Sequence, residues 1–245
     1  MAKRFDMHIH CGDQPVDPEK ILAQMDACGI YGGVLMSQYP KESKPDGYDA
    51  ETRMNQVLDV CRKYPDRLFP VLWIHPHEPN ALEVAEEAVR RGIMGFKMLC
   101  DNYYVSDPDS MALVRKIAEL GKPIIFHSGI LWFGGDTSKY NRPLNWESLV
   151  DIKGLRFSMG HCSWPWIDEC IALYGKFLNA YSNGMGAEMF FDTTPGTPEI
   201  YRKELLTKLY TVGYDVEDNV MFGTDCTAHE YNGNWAGKWL KVDGA

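Results

Sequence analysis

Residues 5–12 read FDMHIHCG. Phe5, Met7 and Ile9 alternate with Asp6, His8 and His10. Side chains of a strand point to opposite faces with period two, so His8 and His10 share one face of a short apolar strand. Two neutral imidazoles side by side need a common partner, and a divalent cation is a natural one. Two surface histidines near a chain end would give the same short pattern. The rest of the chain decides between these readings.

The construction recurs. Seven more apolar runs follow FDMHIH: YGGVLMSQ (31–38), RLFPVLWIHP (67–76), IMGFKML (93–99), KPIIFHSG (122–129), LRFSMGH (155–161), AEMFFDTT (187–194) and NVMFGTDC (219–226). Helical patterns separate them, such as PEKILAQMDACG (18–29) and AETRMNQVLDVCRKY (50–64), with Met54, Val57, Leu58 and Cys61 at helical spacing. NALEVAEEAVRRG (80–92) carries an asparagine at its start and a glycine at its end, where helix caps are expected. RPLNWESLVDI (142–152) reads as a short helix.

Eight strands alternating with helices predict a (β/α)8 TIM barrel, one domain spanning residues 1–245. An open doubly wound sheet shares the alternation, but the chain has no GxGxxG or GxxxxGK[ST] phosphate loop. One departure stands out. After the last strand only Thr227–Ala245 remain, with little helical pattern before WAGKWLKVDGA (235–245). The eighth helix is therefore expected to be short or truncated. An open seam there would expose apolar barrel wall, which a partner chain, most simply a second copy in a homodimer, would cover.

Composition narrows the partners. The 245 residues are 45% hydrophobic and 12% aromatic, which excludes a disordered chain. A net charge of −9 disfavours nucleic acid and acidic membranes, leaving a small-molecule substrate as the expected partner. There is no leader-like segment or membrane-length apolar run, and the seven cysteines form no CxxC pair. These features suit reduced thiols in the cytoplasm.

In a barrel of this class, chemistry sits at the C-terminal ends of the strands. Those ends carry His8 and His10, then His75 and His77, Lys97, His127, His161 and Asp225. Six of the seven histidines are among them. His8, His10, His127 and Asp225 form a set of three imidazoles and one carboxylate, suited to zinc or a similar divalent ion.

With HxH in MHIH, lysine in GFK, HSG, GH and GTD in this order, the chain resembles the amidohydrolase superfamily. More narrowly, it resembles the amidohydrolase-related branch that also holds nonoxidative decarboxylases. The resemblance runs from residue 5 to about 226, and YNRPLNWE and HCSWPWIDE share its flavour. It implies that His8, His10, His127 and Asp225 bind one metal. His161 would be a second-metal ligand, or a base or electrostatic stabiliser beside a single ion. Lys97 would be a bridging carbamate in a two-metal site and needs no such role in a one-metal site. An unmodified lysine beside a dication is repelled, so it is carbamylated, turned away or paired with substrate. One or two ions, zinc foremost, are the expected cofactors.

The implied reaction is hydrolysis of an amide, ester or lactone by metal-activated water, with Asp225 and His161 moving the proton. The same scaffold in a decarboxylase would act on an aromatic or unsaturated carboxylic acid. A non-catalytic metal-binding protein would instead close its coordination shell with protein ligands.

Other residues have plainer readings. Pro76 interrupts the His75/His77 pair, which suggests a loop at the pocket mouth touching substrate at most. Arg142 suits a substrate carboxylate or a surface salt bridge. Trp132 shapes the pocket or packs in its wall. Cys11, Cys162 and Cys226 each follow a candidate site residue and read as packing.

Overall fold

The computed structural model describes residues 3–132, 134–184, 186–195 and 198–244. Nine short strands form one parallel sheet: β1 (Phe5–His10), β2 (Gly32–Met36), β3 (Leu68–Trp73), β4 (Gly95–Met98), β5 (Ile124–Phe126), β6 (Arg156–Met159), β7 (Glu188–Asp192), β8 (Val220–Met221) and β9 (Cys226–Thr227). Their order is β8-β7-β6-β5-β4-β3-β2-β1-β9. The last two are pieces of one eight-residue stretch. β8 pairs with β7 and β9 with β1. Between them, Met7 N–H donates to Phe222 O at 2.8 Å and Asp225 N–H donates to His8 O at 3.0 Å. The ring closes through a split eighth strand, and the fold is the expected TIM barrel.

Helices follow the strands: α1 (Pro18–Cys28), α2 (Ala50–Cys61), α3 (Ala81–Arg91), α4 (Pro108–Glu119), α5 (Ile167–Ser182), α6 (Glu199–Thr211) and α7 (Gly233–Asp243). Their ends follow local chemistry. Asp17 accepts the Glu19 N–H at 3.1 Å ahead of α1, and Gly29 stops that helix in a left-handed conformation at φ 79°. Asn80 precedes α3 without capping it through its side chain; its own backbone is left-handed, at φ 56°. Among the described residues no α-helix joins β5 to β6. Two 3₁₀ segments, Ser138–Asn141 and Pro143–Leu149, stand there instead. Pro143, Trp146 and Leu149, spaced by three, are all buried, the period a 3₁₀ helix places on one side.

The expected open seam is not found. α7 has 11 residues, as many as α1 or α3, and contacts both α1 and α6. Buried Arg202 of α6 donates to both Asp243 carboxylate oxygens, at 2.7 and 2.6 Å. Its guanidinium lies 5.2 Å from the ring of Trp239, itself buried. The chain covers its own last strand. The sequence pattern understated this because the helix is held by a few large contacts rather than a long apolar stripe.

The strand alternation of FDMHIH holds only in part. Ile9 joins the main core between sheet and helices, whereas Met7 packs inside the barrel with Val34, Met36, Val71 and Ile125. The β1–β2 pairing shifts register between Asp6 and Ile9, and that irregularity changes which face follows. Among the described residues no helix is long and apolar enough to cross a membrane.

Candidate active site

A cavity of about 530 Å³ opens where the strands end. Lys97 from β4, His127 after β5, His161 after β6 and Asp225 before β9 line it, with His10 and Trp73 from the ends of β1 and β3. Residues far apart in sequence meet here because adjacent parallel strands all finish on one face.

His8, His10 and Asp225 form the only group of three or more His, Cys, Asp or Glu side chains able to share a metal among the described residues. His8 Nε2 lies 3.2 Å from His10 Nε2 and 3.6 Å from Asp225 Oδ1, and His10 Nε2 lies 3.2 Å from the same oxygen. His8 Nδ1 meets Asp192 Oδ2 at 2.5 Å. A carboxylate only accepts, so Nδ1 donates and Nε2 presents its lone pair to the cluster. Burial holds the His8 imidazole down at about 4, opposed by Asp192. Burial pushes the Asp225 carboxyl up, but the hydrogen bond with His10 and the imidazoles of His161 and His8 outweigh it and hold it well below the usual range. A neutral imidazole and an ionised carboxylate are the forms that bind a divalent ion. The donor set therefore fits a metal.

Asp192 was absent from the sequence reading. It is the last residue of β7, at the C-terminal end of EMFFD, so the strand-end rule that found the histidines points to it as well. Thr194 supports it: its N–H donates to Asp192 Oδ1 at 2.9 Å and its hydroxyl bonds the same oxygen. Gly223 makes room for this group, since a Cβ there would stand 2.7 Å from the His8 Cβ.

His127 stands in the same cavity but outside that three-residue cluster. Its ring centroid is 5.0 Å from that of His161, which is 5.6 Å from that of His8. His127 Nε2 faces Ile130 O and His161 Nδ1 faces Thr194 O, each at 3.3 Å. Carbonyls only accept, so the other nitrogen of each ring keeps a lone pair. Burial lowers both imidazoles, keeping them neutral. Ser128 ties their loops together, donating to Gly160 O at 2.6 Å and accepting from Ser163 Oγ at 2.9 Å. His161, Cys162 and Ser163 are consecutively left-handed, at φ 56°, 44° and 61°. Such backbone clusters where a site needs it.

Lys97 is fully enclosed, and burial pulls its ammonium down to about 8 against the attraction of Asp192 and Asp225. Its Nζ lies 3.4 Å from His8 Nε2, so it is not turned away from the cluster. Cys11 and Cys162 are buried thiols; burial pushes Cys11 up to about 12.

The remaining candidates fall elsewhere. β3 ends at Trp73, so His75 and His77 lie in the loop beyond it and do not line the cavity. His75 is buried in a separate polar group. Its N–H donates to Glu78 Oε1 at 2.8 Å, its Nε2 lies 3.4 Å from Asp101 Oδ1, and Glu78 pairs with Arg53 at 2.5 Å. Arg142 pairs with Glu169 at 2.9 Å on the surface, away from the cavity lining. Trp132 does line the cavity, 76% exposed, with its ring 6.3 Å from that of Trp164 and tilted by 20°. His229 lines it too. Trp73 and Tyr39 also escaped the sequence reading, because nothing but alternation marks an inward aromatic.

Fold and cluster together define a parallel barrel with a metal-type donor set at the C-terminal ends of its strands. A family model described as Amidohydrolase matches residues 5–244, and the chain belongs to that family. Solved structures share the fold at low identity. The probable 2-pyrone-4,6-dicarboxylic acid hydrolase of Acinetobacter baumannii, with citric acid bound, has a TM-score of 0.67 at 13% identity, covering 100% of this chain and 93% of that one. Amidohydrolase 2 of Bifidobacterium longum subsp. infantis has 0.60 at 16%, covering 100% and 92%. Dihydroorotase of Campylobacter jejuni has 0.56 at 16%, covering 98% and 77%. No curated protein matches the chain.

Proposed function

We propose that the chain is a metal-dependent hydrolase that adds water to a small amide, ester or lactone. The convergence of His8 Nε2, His10 Nε2 and Asp225 Oδ1 within 3.2–3.6 Å beside an open cavity carries this reading. A divalent ion held there, zinc foremost, would supply Lewis acidity, polarising a carbonyl oxygen and lowering the pKa of water towards about 7.

The chain's own groups do the rest. Asp225, kept ionised and facing the cavity, accepts the proton of the attacking water. His161, neutral and donating from Nδ1 to Thr194, relays a proton to the leaving group through Nε2. His127 stands beside it in the same cavity as a fourth candidate donor. Lys97, with an amine made more available by burial, suits either a bridging carbamate or a partner for an anionic substrate group. Tyr39, Trp73, Trp132 and Trp164 give the cavity flat apolar walls.

Those walls beside Lys97 also favour a second reading, decarboxylation of a planar unsaturated acid. Metal analysis and isotope labelling test both. Stoichiometric zinc, and ¹⁸O from solvent in the product of an ester or lactone panel, are expected. Release of CO₂ without solvent oxygen would establish the decarboxylase instead, and a metal-free, inactive protein would overturn both.

A further inference from the structure

Asp6 is two residues before the first candidate ligand, fully buried, and no part of the cavity lining. Its carboxylate nevertheless receives four donors. The His8 and Thr224 N–H groups each donate to Oδ1 at 3.1 Å. The Thr224 hydroxyl and the Tyr231 hydroxyl donate to Oδ2 at 2.6 and 2.9 Å. Thr224 Oγ1 in turn accepts the Cys226 N–H at 3.2 Å. The amides on both sides of Asp225 are thus tied, directly or through one hydroxyl, to the same carboxylate. The Asp225 N–H itself goes to His8 O at 3.0 Å.

That tethering has work to do. Asp225 is left-handed at φ 59°, a conformation costly for a residue with a Cβ unless its surroundings impose it. It also falls in the gap between β8 and β9, where the single backbone bond from Asp225 N–H to His8 O is its own link to β1. Resting on the proposed metal site, we propose that Asp6 is its positioning residue, holding the backbones of His8 and Asp225 at the separation at which both ligate one ion. Tyr231 braces the carboxylate from the far side and has no tie to either ligand. Trp235 Nε1 donates to Thr224 O at 3.1 Å, so the C-terminal segment grips the same loop.

Four variants separate positioning from plain stability. Asp6→Asn keeps the shape but turns one acceptor into a donor facing donors. Thr224→Val removes the hydroxyl relay, Thr224→Ser retains it, and Tyr231→Phe removes only the outer brace. Zinc affinity is measured by competition with a chromophoric chelator, and apoprotein stability by urea unfolding. Supporting partners of metal ligands are worth about 10–100-fold in affinity. Asp6→Asn and Thr224→Val are expected to weaken zinc binding at least about tenfold, with Thr224→Ser near wild type. Tyr231→Phe is expected to lose stability yet stay within about threefold of wild-type affinity, since it leaves both ligand backbones tied. Should Asp6→Asn fail to fold, the Thr224 pair carries the test. Wild-type affinity in Thr224→Val, or equal losses of affinity in Tyr231→Phe and Thr224→Val, would overturn the inference. A wild-type protein that binds no zinc overturns the metal reading itself, and the first titration shows that before any variant is made.

Discussion

The two mouths of this barrel are built from the same strands and have opposite chemistry. At the C-terminal end, Trp73, Lys97 and His127 face a cavity of about 530 Å³ that gathers ionisable groups between aromatic walls. At the N-terminal end, Phe69, Gly95 and Ile125 of the same chain segments face one of about 450 Å³, walled mainly by apolar residues including Phe5, Met7, Val34 and Met221. Each pair differs by two or four residues along a strand, one or two steps of the inward-facing period. Chemistry is therefore set by position along the strand. Ionisable groups gather where loops can finish a site, and the lower half is left to packing.

The largest expected effect strikes the polar mouth. Asp225→Asn should lower turnover by about 10²–10⁴-fold on whichever ester, lactone or amide the wild type accepts, while retaining part of the bound zinc. Near-normal turnover would remove Asp225 from proton transfer.

A pH titration of the apoprotein sharpens the contrast next. His8 is held at about 4 in the native state against about 6.5 unfolded, so the unfolded chain takes up protons that the native one refuses. Its contribution is present above the unfolded value and lost as pH falls towards 4, costing ~2 kcal/mol between pH 7 and pH 5. His127 and His161 act in the same direction. Asp6, which burial raises to about 7 against its four donors, acts in the opposite one across this window. Asp6→Asn removes that opposing carboxyl, so the urea midpoint of this variant should drop on acidification. A flat or rising midpoint between those pH values would contradict the buried, neutral imidazoles.

Asp192→Asn leaves the His8 ring in place but blurs which nitrogen carries the proton. Zinc affinity should weaken by about 10–100-fold, read by chelator competition. An unchanged affinity would mean that Asp192 does not orient a ligand. The smallest effect belongs to the apolar mouth. Ser158 buries a hydroxyl with no hydrogen-bond partner among the described residues and lines the lower cavity. Ser158→Val should raise stability by about 1 kcal/mol and leave zinc affinity unchanged. A change in affinity would show that the two mouths are coupled.

Much of this was legible in one dimension. Apolar runs ending in His, Lys or Asp announced both the barrel and its working end, because a parallel strand presents its last inward residue at one mouth. That basis picked His8, His10, His127 and Asp225 from 245 residues, and three of the four converge. Asp192 was equally readable at the end of β7. The misreadings had local causes. The loop expected around Pro76 is there, starting after Trp73, but it carries His75 into a separate buried network instead of the pocket mouth. The pairing shift inside β1 moved Met7 to the interior, which no alternation rule foresees.

The sequence by itself determined the alternation of strands and helices, the barrel, and the residue types at its C-terminal rim, because these follow from periodicity and chain order. Only the tertiary structure decided which donors converge. It drew three together, left His127 beside them, set Lys97 against His8, closed the last strand with α7, and tied the backbones of His8 and Asp225 to one buried carboxylate. Such distances depend on a bulge, a left-handed residue and long-range hydrogen bonds, none of which has a period to read.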